Sequence, residues 1–597
     1  MKRHGAMIAT VLVACVVIGT SVFSIRRWAD GDAARLMSPL SADVLDMTQI
    51  FASPDAQYSN IYPGDYVGPK VCGRCHKKNY RLWQRHPHSR MNQNASGGSI
   101  LGDFSGKEIY YGGNRVVFGR DGGDYTVTVF EDGRVFRRFK VTRTVGSRFI
   151  QFYIGLQTKG PEPPEAPCYR VESKIFFAYS LKLKRWLPAL YFASADFPEY
   201  GDSFSYADFI YHHPKLHTWN ENCIACHNTY PYAYRFGAAG LTGFPDQQIR
   251  FDQSKFPPEV LSQAGNVKPP LPEAFVTIGI SCESCHFGGR EHAINGKPIC
   301  FHPTSPDLVL GRPEGVRGDL TDRQNPFVVN SICSQCHNSE VALYPNGAVR
   351  QNAAEALDLR RGACRGAIKC TDCHNPHEAG IPGGSPVQQK HIDACLKCHG
   401  QFSEPKALAA HTRHAPQSNV TCLDCHMPRI VQGLETAVRS HFISSPTDTR
   451  MLAVAAPNAC NLCHLEESLN WTLRSLESGW GRKIVPQPRW ARAYGGSLAT
   501  PVGRVWLNSP VQQVRLVATQ AYADSPLGEQ ALATLLRNLN DPYAVNRVFD
   551  LYAIEKIIGR GLSDDEYDLL GSPGKQRSQI AALLARLAPL PALSDHD

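Results

Sequence analysis

At 597 residues with 43% hydrophobic content, the chain is long enough for several cores and too apolar to be a disordered or collagen-like polymer. Its formal net charge of +9 comes from 63 Lys and Arg against 54 Asp and Glu, and taken alone it would suit an anionic partner. The 20 cysteines exclude an ordinary reduced cytosolic enzyme unless they bind a metal or cofactor; in an exported chain they could pair as disulfides.

After Lys2, Arg3 and His4 an apolar run covers residues 6–25 and is closed by Arg26 and Arg27. It is just long enough to cross a bilayer. It lacks an A-x-A-like cleavage pattern, so a membrane anchor within residues 1–30 is the preferred reading and a cleaved signal the alternative. Leu12-Val13-Ala14-Cys15 resembles a lipidation box, but residues 16–23 continue the apolar run where a polar tether would be expected. Either way the body is exported.

Residues 60–100 carry a first Cys-x-x-Cys-His motif at Cys72 in a short helical stretch, and no other follows until Cys223. In the gap, NRVVFGRDGGDYTVTVFEDGRVFRRFKVTRTV alternates apolar and polar residues around DGG and EDG turns, which is hairpin chemistry. Further β-like segments, RFIQFYIG and RVESKIFFAYSLKLKRWLPALYFA, flank the loop GPEPPEAP. The expectation is a β-rich insertion over residues 101–204. Cys168, Cys300 and Cys364 stand outside any motif, either as disulfide partners or as free thiols.

Residues 205–470 hold the other seven motifs. The full set is Cys72 and Cys75 with His76, Cys223 and Cys226 with His227, Cys282 and Cys285 with His286, and Cys333 and Cys336 with His337. It continues with Cys370 and Cys373 with His374, Cys395 and Cys398 with His399, Cys422 and Cys425 with His426, and Cys460 and Cys463 with His464. In such a motif two thiols form thioethers with haem vinyl groups, and the adjacent His reaches the iron from the same side. Zinc would need four ligands from paired half-sites and gives no reason for a His after every second Cys. Eight covalent c-type haems follow as the cofactors. Each oxidised haem brings two propionates against one net positive core, so eight contribute about −8, cancel most of the +9 and remove the case for nucleic acid. Five motifs crowd between Cys333 and His464, too close together for separate hydrophobic cores, so the porphyrins themselves must fill the interior.

Residues 471–597 carry no motif. Helical periodicity in VQQVRLVATQAY and YAVNRVFDLYAIEKI repeats at about 32 residues, which suggests HEAT-like helical pairs; an unrelated helical cap is the alternative. The expected fold class is mainly α, with irregular haem-wrapped segments, a small antiparallel β insertion near the N-terminus and a C-terminal α-helical repeat.

The order YVGPKVCGRCH, RHPHSRM, ILGDF, LHTWNENCIACH, GISCESCHFGGREH, IKCTDCHNPH, HTRHAPQSNVTCLDCHMP, SHF and PNACNLCH resembles bacterial multihaem cytochromes of the cytochrome c554-like, doubled-CxxCH kind. These are often joined to HEAT or tetratricopeptide repeats. The resemblance implies that His88, His217, His292, His377, His411, His414 and His441 are sixth iron ligands, with His86, His212, His213, His302 and His391 competing for the eighth place. It implies a packing role for Met427. Relatives often carry a histidine between the fourth and fifth motifs; here VALYPNGAVRQNAAEALDLRRGACRGA has none, leaving the haem of His337 in question.

Enough histidines are present for every haem to be bis-His, the ligation suited to electron carriers. The preferred function is therefore electron transfer outside the cytoplasm with redox partner proteins, the protein being held to the membrane by its N-terminal segment. The alternatives are an octahaem oxidoreductase acting on a small nitrogen or sulfur compound at one open haem, and a docking protein whose tail binds a redox partner. No CxxCK variant is present.

Overall fold

The computed structural model describes residues 57–192, 218–219, 224–232, 275–305, 322–339, 341–378 and 389–588. The apolar run at 6–25 with Cys15, and Cys223, His212, His213 and His217, lie outside them. Among the described residues no helix is long and apolar enough to cross a membrane.

The hairpin alternation becomes an eight-stranded antiparallel sheet: β1 Asn92–Asn94, β2 Lys107–Tyr111, β3 Asn114–Asp121, β4 Asp124–Glu131, β5 Arg134–Val145, β6 Ile150–Lys159, β7 Ser173–Ser180 and β8 Arg185–Pro188. Strands β2 to β8 pair in chain order and β1 adds to β5. The tight β3–β4 and β4–β5 turns need left-handed backbone, at Gly122 and Gly123 (φ 55° and 96°) and at Asp132 and Gly133 (φ 48° and 75°). Val116, Phe118, Val127, Val129, Phe139 and Val141 share one buried cluster, and in β4 the intervening Thr126 and Thr128 are buried as well, so this strand is covered on both faces. The sheet curls until Phe118 of β3 stacks on Trp186 of β8, centroids 3.8 Å apart and planes within 4°. Trp186 donates its indole N–H to the Asp103 carbonyl at 3.0 Å, so the ring is buried without stranding its polar atom.

This corrects the mainly α expectation. The β region is a nearly closed, barrel-like sheet rather than a small insertion, and helix accounts for only 39% of the described residues. The reason is local: a Cys-x-x-Cys-His motif needs about one helical turn, as in Cys370–Cys373 and Cys422–His426, so dense motifs yield little helix.

The tail consists of helices Val502–Leu507, Gln512–Ala523, Gly528–Asn538, Ala544–Ile558 and Pro573–Leu587. It does not stand apart. Trp506, Leu535, Leu551 and Ile554 share one core with Leu187 and Tyr191 after β7 and with Ile430, Leu452, Leu465 and Leu469 of the motif region. Between the two helices expected to repeat, Thr519 donates its hydroxyl to buried Asp550 at 2.7 Å. Burial, reinforced by the nearby Asp541 charge and opposed by Thr519 and Arg515, pushes the Asp550 carboxyl from 3.8 up to about 8. The folded chain then keeps a proton that the unfolded chain loses, so this group's contribution to stability falls as pH rises from about 4 to about 8. Asp550→Asn retains the acceptor for Thr519 and is expected to raise the stability of the holoprotein by about 2 kcal/mol at pH 8. Thermal unfolding at pH 5 and pH 8 checks it: the gain must grow with pH, and an equal change at both would refute the assignment.

Candidate haem sites

Each motif, over its described residues, lies in a short helix or turn. Pro69–Cys75 carries the first, and the N–H of His76 bonds the Cys72 carbonyl at 2.9 Å. The seventh starts at a capping box in which Asp424 accepts the N–H and hydroxyl of Thr421, both at 2.8 Å. Arg439 clamps the same turn through Asp424 and the Leu423 carbonyl.

Five motif histidines face a second imidazole. His76 faces His292 at 6.2 Å between centroids, His286 faces His377 at 6.1 Å, and His374 faces His441, His426 faces His411 and His464 faces His414, each at 6.2 Å. The planes are 5° apart for His286 and His377 and 6° for His411 and His426, rising to 31° for His414 and His464. These gaps exceed van der Waals contact, which is about 3.5–4.0 Å. Two imidazoles on opposite sides of one iron, each about 2.0 Å from it with the ring centre about 1.1 Å beyond its nitrogen, would have centroids about 6.2 Å apart. The residues fit a haem iron with two axial histidines. Among the described residues no three His, Cys, Asp or Glu side chains converge as a bare metal ion would require.

Burial holds His227, His286 and His374 down to about 4, keeping the imidazoles neutral as metal ligands must be. His426 directs Nδ1 to the Ser444 carbonyl at 2.8 Å, and on the facing side His414 and His292 do the same to Thr412 and Lys297 at 2.6 and 2.8 Å. These bonds turn Nε2 towards the gap. His391 also lies 6.4 Å from His374, but its plane is tilted by 52° and its Nε2 lies 3.1 Å from the Cys373 carbonyl oxygen.

His227, His337 and His399 face no second imidazole among the described residues. His88, expected as a sixth ligand, lies against His86 at 4.5 Å and is close enough to His337 for their charges to interact. One residue escaped the sequence reading. His337 bonds through Nδ1 to Glu355, with Oε2 3.0 Å away. Burial opposes charge on both groups, yet their mutual bond carries His337 up to about 9 and Glu355 down to about 2.

The motifs also lie near one another. The thiols of Cys72 and Cys282, of Cys333 and Cys370 and of Cys395 and Cys422 lie near enough to shift one another's ionisation. Cys373 and Cys395, and Cys425 and Cys460, are near enough to interact electrostatically, as are His227 and His337. Cys168, Cys300 and Cys364 are not disulfide-bonded, and the Cys300 thiol lies 2.9 Å from the Tyr58 hydroxyl.

Two family models match: cytochrome c552 over residues 408–477 and the doubled CXXCH motif over 363–404. Neither extends into the tail beyond residue 477, so likeness to HEAT or tetratricopeptide repeats finds no support. The multihaem cytochrome MtrA of Shewanella baltica is 24% identical over 192 residues, covering 32% of this chain and 43% of its own. The dissimilatory sulfite reductase MccA of Wolinella succinogenes is 21% identical over 437 residues, covering 68% of this chain and 51% of its own. The chain therefore spans about half the length of these relatives. The crystal structure of the outer cell wall cytochrome OcwA aligns at TM-score 0.35 and 14% identity over 86% of this chain and 100% of that one. The octahaem MccA of Wolinella succinogenes aligns at TM-score 0.30 and 15% identity over 88% and 83%. Neither score is high enough to inform the fold. The intact motifs, the two family matches and these curated relatives make the chain similar to multihaem c-type cytochromes.

Proposed function

We propose that the chain carries eight covalent haems outside the cytoplasm and conducts electrons through them. The observation that carries this reading is the set of five imidazole pairs at 6.1–6.2 Å, which supports His292, His377, His441, His411 and His414 as the sixth ligands to the haems of His76, His286, His374, His426 and His464. Ligation by two histidines blocks substrate and favours a carrier. The nearness of the motifs of Cys333 and Cys370 and of Cys395 and Cys422 supports short steps along the chain of haems. His88 and His217 are left for the irons of His227, His337 and His399. One iron therefore stands open unless His86, His212, His213, His302 or His391 takes it. The N-terminal apolar run at 6–25 would hold the protein to the membrane, and high-salt washing of membranes would then leave it bound.

A second reading has a specific support: the sulfite reductase MccA matches 68% of the chain. In that case the open haem reduces a small oxidised sulfur or nitrogen compound. Electron paramagnetic resonance of the oxidised holoprotein separates the two. The carrier reading expects a spectrum dominated by low-spin haem and no turnover of sulfite, nitrite, hydroxylamine or tetrathionate. A stoichiometric high-spin haem together with turnover of one of them would replace it with the enzyme.

A further inference from the structure

The segment between the fourth and fifth motifs supplies no histidine, but it supplies a carboxylate. We propose that Glu355 is a positioning residue for the haem of Cys333, Cys336 and His337, fixing the orientation of His337 and lowering that haem's reduction potential. The inference rests on the haem reading above.

Glu355 opens the helix Glu355–Arg361. Its Oε2 receives the Nδ1–H of His337 at 3.0 Å, while its Oε1 accepts the N–H of Ala353 at 3.0 Å. The N–H of Ala356 returns to the His337 carbonyl at 2.9 Å. The carboxylate is thus held by its own turn, and the turn is held to the histidine. With Nδ1 occupied, Nε2 is the nitrogen left for iron.

The other Nδ1 bonds described here end on neutral backbone carbonyls, as at His426. A carboxylate differs because it carries a full negative charge and pulls on the shared proton. The imidazole becomes a stronger electron donor, which stabilises ferric over ferrous iron.

The same helix reaches the next haem. Asp358, fully buried, accepts the hydroxyl of Ser440 and the N–H of Phe442, both at 2.8 Å, and so fixes the segment bearing His441 opposite His374. The thiols of Cys333 and Cys370 lie near one another. Two turns of helix therefore set the proximal side of one haem and the facing side of its neighbour, and a low-potential haem at His337 would pass electrons readily to the one at His374.

The test is potentiometric titration of the full-length holoprotein, followed optically and by electron paramagnetic resonance, with Glu355→Gln and Glu355→Asp variants. Glu355→Gln keeps shape and removes charge. It should move one midpoint potential upward, leave the others in place and keep the haem count unchanged, while Glu355→Asp should move the potential back towards the unaltered value. Unchanged potentials with full haem content, or a uniform shift of every haem, would overturn the proposal. Absence of haem at the Cys333 motif of the unaltered protein, read by peptide mass spectrometry, would instead overturn the haem reading on which it rests.

Discussion

Replacing Cys370 and Cys373 together by serine is expected to leave a protein with one haem fewer than the eight proposed for the unaltered chain, read as one missing haem increment in the intact mass. The two thioethers are the only covalent hold on each macrocycle, and His374 alone would not retain it through denaturing analysis. The effect on folding should be large as well. The described motif cysteines are half-buried or exposed, with Cys75, Cys398 and Cys463 on the open side, whereas free thiols are among the most buried side chains in proteins. On the haem reading they line surface that a porphyrin would cover. Removing one macrocycle should cost at least about 3–5 kcal/mol, the scale for deleting a buried Phe or Trp. The nearness of Cys333 to Cys370 makes the loss felt at the neighbouring motif too. A mass showing fewer than eight haems on the fully matured, unaltered chain would sink the count of eight.

What the sequence discloses follows from how local each constraint is. Covalent attachment fixes three residues, two Cys and one His, within five positions, so the motifs can be read directly from the chain. The facing histidines obey no fixed spacing: His411 and His414 precede their proximal partners, whereas His292 lies 216 positions after His76. The family resemblance singles them out as candidates, and five of the seven named face a motif histidine. Glu355 was illegible because an acidic residue in the first turn of a helix is ordinary, and only the fold brings it to His337. The sheet was visible strand by strand through its turns, but its closure depends on Phe118 meeting Trp186 from a distant strand. Propensity does not report such a contact, which is why the sheet reads in sequence as a small insertion.

His411→Ala is expected to convert one haem from low-spin to high-spin without changing the haem count. His411 sits near the end of the helix Pro405–Thr412, with the Phe402 ring 4.3 Å away and its carbonyl bonded by the Trp480 indole at 2.7 Å. The backbone there is anchored independently of the imidazole, so truncation should remove the ligand without moving the helix. On the other side His426 keeps its bond to Ser444 and the thioethers of Cys422 and Cys425 remain. The iron should therefore become five-coordinate and open, and carbon monoxide should bind the reduced variant at one site more than in the unaltered protein. Its potential should rise, since a strong ligand to ferric iron has been lost. His391→Ala is the control: that ring is tilted by 52° to His374 and has Nε2 beside the Cys373 carbonyl, so its loss should leave the spin state alone. If His411→Ala gains no high-spin signal, or His391→Ala gains one, the 6.2 Å spacing of facing imidazoles is not axial ligation and the carrier reading loses its main support.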